Sequence, residues 1–200
     1  MSQADEVRDL LAQHGRTFAT DAGITLRDTP SPLFRLLVLT LLASTRISAD
    51  VAVATARELS RAGWRTPRRM LESTWQQRVD ALGRGGYRRY DETTATRLEA
   101  LCIRLVEDYR GDLRVLRPDS AADVDRLRKG LTGFTGIGPV GADIFCREVQ
   151  AVWPTVGPFF DRRALAGARA RGLPVDPARL AALAPDGRVA NLAAALVRVA

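Results

Sequence analysis

Apolar residues recur along this chain at spacings of three and four, and no stretch alternates apolar with polar as a half-buried strand would. Residues 4–13 place Val7, Leu10 and Leu11 on one face and meet a stop at Gly15. Residues 16–31 are turn-rich, punctuated by Asp28-Thr29-Pro30. Ser31-Pro32 then predicts the start of a helix to about Ser44, apolar on most faces and therefore central and buried. Ser48 caps a helix that ends before Gly63, Thr66-Pro67 starts a short one to Glu72, and Thr74 starts another to Leu82. Asp91 caps a long helix to Tyr109, stopped by Gly111, and Asp119-Ser120 caps one that leads to Lys129. Further helices are predicted up to Trp153 before Pro154, from Asp161 to Arg171 before Gly172, and over residues 177–183 and 188–200. The predicted fold class is all-α.

Composition narrows the chemistry. The chain has 200 residues, Lys+Arg 30 against Asp+Glu 23, a formal charge of +7 and a pI of about 10.5. Lys129 is the single lysine, so the positive charge is almost wholly arginine, whose planar fork suits phosphate. This balance permits nucleic-acid binding; a preference for arginine codons would produce the same composition. Cys102, Cys146 and His14 are too few for a four-cysteine cluster or a His-rich zinc site, and both cysteines lie in apolar helical contexts that predict buried thiols. Residues 2–9 are polar and acidic, unlike a signal peptide, and the apolar run 36–43 is far short of a membrane span. The expectation is a soluble cytoplasmic protein, with no membrane partner.

The strongest local signal is Phe134-Thr135-Gly136-Ile137-Gly138-Pro139-Val140-Gly141-Ala142. A Gly-x-Gly turn opening a helix leaves the first backbone N–H groups unpaired, and the helix dipole adds positive potential there. Such a terminus binds a phosphate without any charged side chain. An ordinary αα-hairpin with a glycine turn has the same pattern. Farther on, Phe159-Phe160-Asp161 places an aspartate at a predicted helix start, where it is a good N-cap and where the dipole favours a carboxylate.

The hairpin, Asp161, the later Gly172-Leu173 and the helical layout together resemble the endonuclease III-like helix-hairpin-helix DNA glycosylase superfamily over roughly residues 31–175. The resemblance implies two helical lobes, a central one over 31–150 ending in the hairpin and a second joining 1–30 to 151–200. It implies double-stranded DNA as partner, a monomer, and nucleoid association within the cytoplasm. It implies that Gly136, Ile137, Gly138, Pro139, Val140 and Gly141 hold the DNA backbone, with Na+ or K+ at the hairpin carbonyls. It further implies that Asp161 is catalytic, stabilising the cationic sugar as an N-glycosidic bond breaks and orienting water. Arg46 corresponds to a position that enters the DNA gap or, equally, is a surface arginine. Tyr87 and Arg88, in the loop 83–90, correspond to side chains that wedge into DNA beside an extruded base, or to an ordinary basic turn.

The departures from that pattern are specific. Relatives that cut the strand carry a lysine at the position of Val140, which forms a Schiff base; valine cannot. Arg162-Arg163 follow the aspartate where Thr-His is usual, and no cysteine follows Cys146 to hold an iron–sulfur loop. The expected activity is therefore that of a monofunctional glycosylase, with weak or absent lyase activity; the alternative is a non-catalytic DNA-binding module. Trp64, Trp75 and Trp153 are dispersed and are expected to pack in the core.

Overall fold

Four cap-plus-proline pairs and a run of Ser, Thr and Asp caps divide the chain into twelve α-helices, joined by three short 3-10 turns, in a computed structural model that describes residues 2–200. The helices are α1 (Gln3–His14), α2 (Phe18–Asp21), α3 (Pro30–Ala43), α4 (Ala49–Arg61), α5 (Pro67–Leu71), α6 (Trp75–Arg84), α7 (Asp91–Tyr109), α8 (Val124–Thr132), α9 (Pro139–Val149), α10 (Arg162–Ala170), α11 (Pro177–Ala181) and α12 (Val189–Arg198). No described residue lies in a strand.

Local chemistry explains most boundaries. Ser2 and Asp5 form a capping box at α1, and Thr74 with Gln77 forms another at α6. Ser48, Thr66 and Asp176 each accept a backbone N–H at the start of α4, α5 and α11. The central helix begins earlier than its Ser31-Pro32 signal. Thr29 is the N-cap residue and Pro30 takes the first turn, while the Ser31 hydroxyl donates to the Arg65 carbonyl at 2.8 Å and so joins two segments instead of capping. Within the stretch expected to be turns only, Thr17 caps the single-turn helix α2 and buries Phe18 and Ala19. Helix α9 stops at Val149 rather than near Trp153, because residues 150–153 turn back on its last carbonyls.

Helix α3 is buried on nearly all sides, as its composition predicts, and packs on α4 and α9. Helices α5 and α6 pack on α7, α6 also meets α4, and α8 lies on α9. Helices α1, α9 and α10 all pack on α12, so the first and last helices are neighbours. One continuous apolar core runs from Val7 through Leu36, Leu98 and Phe145 to Leu196. Trp153 is fully buried, its indole N–H donating to Asp28 at 2.7 Å, whereas Trp64 is half-buried and Trp75 is partly exposed. Both cysteines are buried and free, and burial pushes both thiols up to about 12, which keeps them inert as nucleophiles at neutral pH. No helix among the described residues is long and apolar enough to cross a membrane.

Candidate functional site

The hairpin is built from α8, a turn over 133–138, and α9. Gly136 adopts φ +92°, a left-handed conformation open to glycine, and a Cβ there would also meet Leu41 at 2.7 Å. Gly138 is the N-cap of α9 and offers no side chain, Pro139 has no N–H, and the amides of Val140 and Gly141 have no helical acceptor. Ile137 is buried beneath the turn, while Gly138, Pro139 and Val140 are exposed. At Gly141 a Cβ would lie 2.3 Å from the Ser44 hydroxyl, so glycine lets α9 start hard against the end of α3. Arg128 of α8 pairs with Asp143 of α9 at 2.7 Å and braces the two arms.

From that end, α9 turns one face to a cavity of about 700 Å³, presenting Val140, Ile144 and Arg147 at successive turns. The turn Ser44-Thr45-Arg46-Ile47, the start of α4, Phe18 and Val197 form other walls, and Asp161, Arg162 and Arg163 complete the lining beside Arg147. The size is that of a small-ligand site, and the interior walls are mostly apolar.

Asp161 is buried at 7 % exposure and is the N-cap of α10. Its Oδ1 accepts the Ala164 N–H at 2.8 Å, and its Oδ2 accepts from Nη1 of Arg147, itself only 4 % exposed. Gln150 sets this pairing. Its side-chain N–H groups donate to the carbonyls of Arg147 at 2.9 Å and Phe159 at 2.8 Å, and its Oε1 accepts the Phe159 N–H at 2.9 Å. One amide thus clasps the segment two residues ahead of Asp161 to the end of α9. Beside Arg147, Glu148 is fully buried, and its Oε2 accepts the Ala19 N–H at 2.8 Å. Burial pushes its carboxyl up from the ordinary range, against the pull of Arg147 and of the α2 amides. Phe18 lies under the Arg147 guanidinium at 5.3 Å and the Arg198 guanidinium at 4.2 Å.

Both carboxylates that line the cavity thus have an arginine partner, Asp143 with Arg128 and Asp161 with Arg147. Arg46, Arg162 and Arg163 are exposed around the opening, and among the described residues none has an ion-pair partner. The mouth is therefore cationic and the interior apolar, which favours a ligand with an anionic backbone and an apolar or aromatic insert.

The structure brings Arg46, Val140 and Asp161 to one cavity. It leaves Arg88 exposed on its loop and turns Tyr87 inward. Tyr87 is fully buried, its hydroxyl 2.6 Å from that of Thr45 and donating to the Leu42 carbonyl at 3.1 Å. This ring props the 44–47 turn from behind instead of facing solvent. Tyr87→Phe is expected to lower stability by about 1 kcal/mol, one net hydrogen bond, as read by thermal unfolding. Arg147, Glu148 and Gln150 carry no local motif and were not apparent in the sequence; the one hint is three polar residues within four positions at the end of a helix that packs against α3 and α12.

No family model matches the chain, and no curated protein matches it. The architecture is nevertheless a known one: the protein has the all-helical endonuclease III-like fold. It is similar to the structure of a trapped endonuclease III–DNA covalent intermediate, an estranged-adenine complex, with a TM-score of 0.51 and 15% identity over 98% of this chain and 85% of that one.

Proposed function

We propose that the protein binds duplex DNA and excises an altered or mismatched base by hydrolysing its N-glycosidic bond. The observation that carries this reading is the buried Asp161 carboxylate, held at a helix N-terminus on one wall of a cavity large enough to admit a base, with the unpaired amides of Val140 and Gly141 at the hairpin end of α9. The hairpin amides would hold a phosphate, and Arg46, Arg162 and Arg163 would hold the backbone around the opening. The extruded nucleotide would enter between the apolar walls. As the C1′–N bond breaks, its electron pair leaves with the base and the sugar becomes cationic, a state that Asp161 stabilises electrostatically. Water adds to C1′, the proton it loses ends on the departing base, and an abasic site remains. Val140 supplies no amine, so the strand stays intact.

The neutral carbonyl oxygens of the hairpin turn suit Na+ or K+, and no cluster of three His, Cys, Asp or Glu among the described residues competes to hold a metal. The Gly133 carbonyl already accepts from Arg104, so a cation there would use the carbonyls that follow it. It would add positive charge for a phosphate.

A second reading, a DNA-binding module without chemistry, has one observation in its favour: both oxygens of Asp161 are already engaged, by Arg147 and by the Ala164 N–H.

The experiment is an excision assay on duplexes that each carry one damaged or mismatched base, run with and without alkali, beside a salt titration of binding. Base release that needs alkali to cut the strand supports the glycosylase. No release from any duplex, with affinity that falls by about 0.9 in log K per log salt for each phosphate held, supports the binding module. No DNA binding at any salt concentration overturns both.

A further inference from the structure

Two buried polar atoms in the site have no hydrogen-bond partner, Nε of Arg147 and Oε1 of Glu148. They face each other at 3.8 Å, too far for a hydrogen bond. Unpartnered buried polar atoms are costly, and a facing pair invites an explanation in function. The same guanidinium holds Asp161 through Nη1, and Arg147 borders the cavity. Glu148 itself is anchored by the Ala19 N–H on its other oxygen, so its position does not depend on Arg147.

From these contacts we infer that Arg147 is a positioning residue with two seats: it holds Oδ2 of Asp161 in the empty site and shifts toward Glu148 when a cationic sugar enters, releasing that oxygen to face the sugar. The shift is under an ångström at Nε, and it satisfies both orphan atoms. Glu148 thereby keeps Arg147 from cancelling the charge of Asp161 at the moment that charge is needed. This inference rests on the glycosylase reading of Asp161.

The test needs no turnover. Two duplexes are compared by fluorescence anisotropy, one bearing a pyrrolidine abasic nucleotide, which is cationic, and one bearing neutral tetrahydrofuran at the same position. Wild type is expected to prefer the cationic duplex, and Asp161→Asn to lose that preference. Glu148→Gln keeps an acceptor for the Ala19 N–H and is expected to reduce the preference about tenfold, the low end of coupling between close buried charges, while binding tetrahydrofuran duplex as before. In an Arg147→Lys background, which offers a point charge instead of a fork, Glu148→Gln is expected to change the preference no further. By NMR, the Arg147 Nε–H signal is expected to move on binding the cationic duplex in wild type and to stay in Glu148→Gln. A Glu148→Gln protein that keeps the preference, or that loses affinity for both duplexes alike, overturns the two-seat role while Asp161 stands. A wild type with no preference, unaltered by Asp161→Asn, overturns the reading of Asp161 and the inference with it.

Discussion

Arg147→Met is expected to destabilise the protein by about 3–5 kcal/mol, visible as a lower urea midpoint with an unchanged slope. The guanidinium is 4 % exposed and Asp161 is 7 % exposed, so removing one leaves the other charge buried without a counterion. Methionine fills much the same volume, which confines the loss to charge and hydrogen bonding. The effect is expected to be context-dependent in a way that can be read. Arg147→Met combined with Asp161→Leu should recover much of the loss, because a buried ion pair exchanged for apolar side chains is often neutral. A single substitution costing under about 1 kcal/mol would show that water reaches the pair and screens it as it does on a surface.

Asp161→Asn is expected to reduce base release by about 100- to 1000-fold, the effect of removing one preorganised electrostatic group from a transition state. Asparagine has nearly the same shape and is itself a good N-cap, so α10 still starts at this position. It has one oxygen to offer, though, and two donors await it, the Ala164 N–H and the Arg147 guanidinium. A stability cost of about 1–3 kcal/mol is therefore expected alongside, and circular dichroism at the assay temperature separates unfolding from lost chemistry. Binding to undamaged duplex should hold or tighten, since a negative charge leaves a cationic cavity. Base release within tenfold of wild type would show that Asp161 does not carry the reaction.

What could be read from the chain was whatever local rules determine. The long helix α7 runs over Asp91–Tyr109, the bounds its period predicts, although Tyr90 and not Asp91 is its N-cap residue, and the three-glycine turn opens α9 where a tight αα corner was expected. Asp161 was legible for the same reason, since capping is a short-range demand of the backbone. Tyr87 was not, because an aromatic residue between glycines and arginines reads as exposed, and only the fold reveals the Leu42 carbonyl that draws it inward. Phe18 was missed because a single helical turn has no period to detect. Arg147 and Gln150 were missed because their partners, Asp161 and Phe159, are brought to them by the path of the chain, not by spacing along a helix. Polar residues on a helix read as its wet face unless something far away answers them.

The walls of the cavity come from residues as far apart as Phe18 and Val197. A growing chain on the ribosome therefore completes the glycine turn well before it completes the chamber beside it. Until the segment carrying Val197 has emerged and α12 has docked on α1, α9 and α10, the nascent protein has the turn but no enclosed chamber beside it.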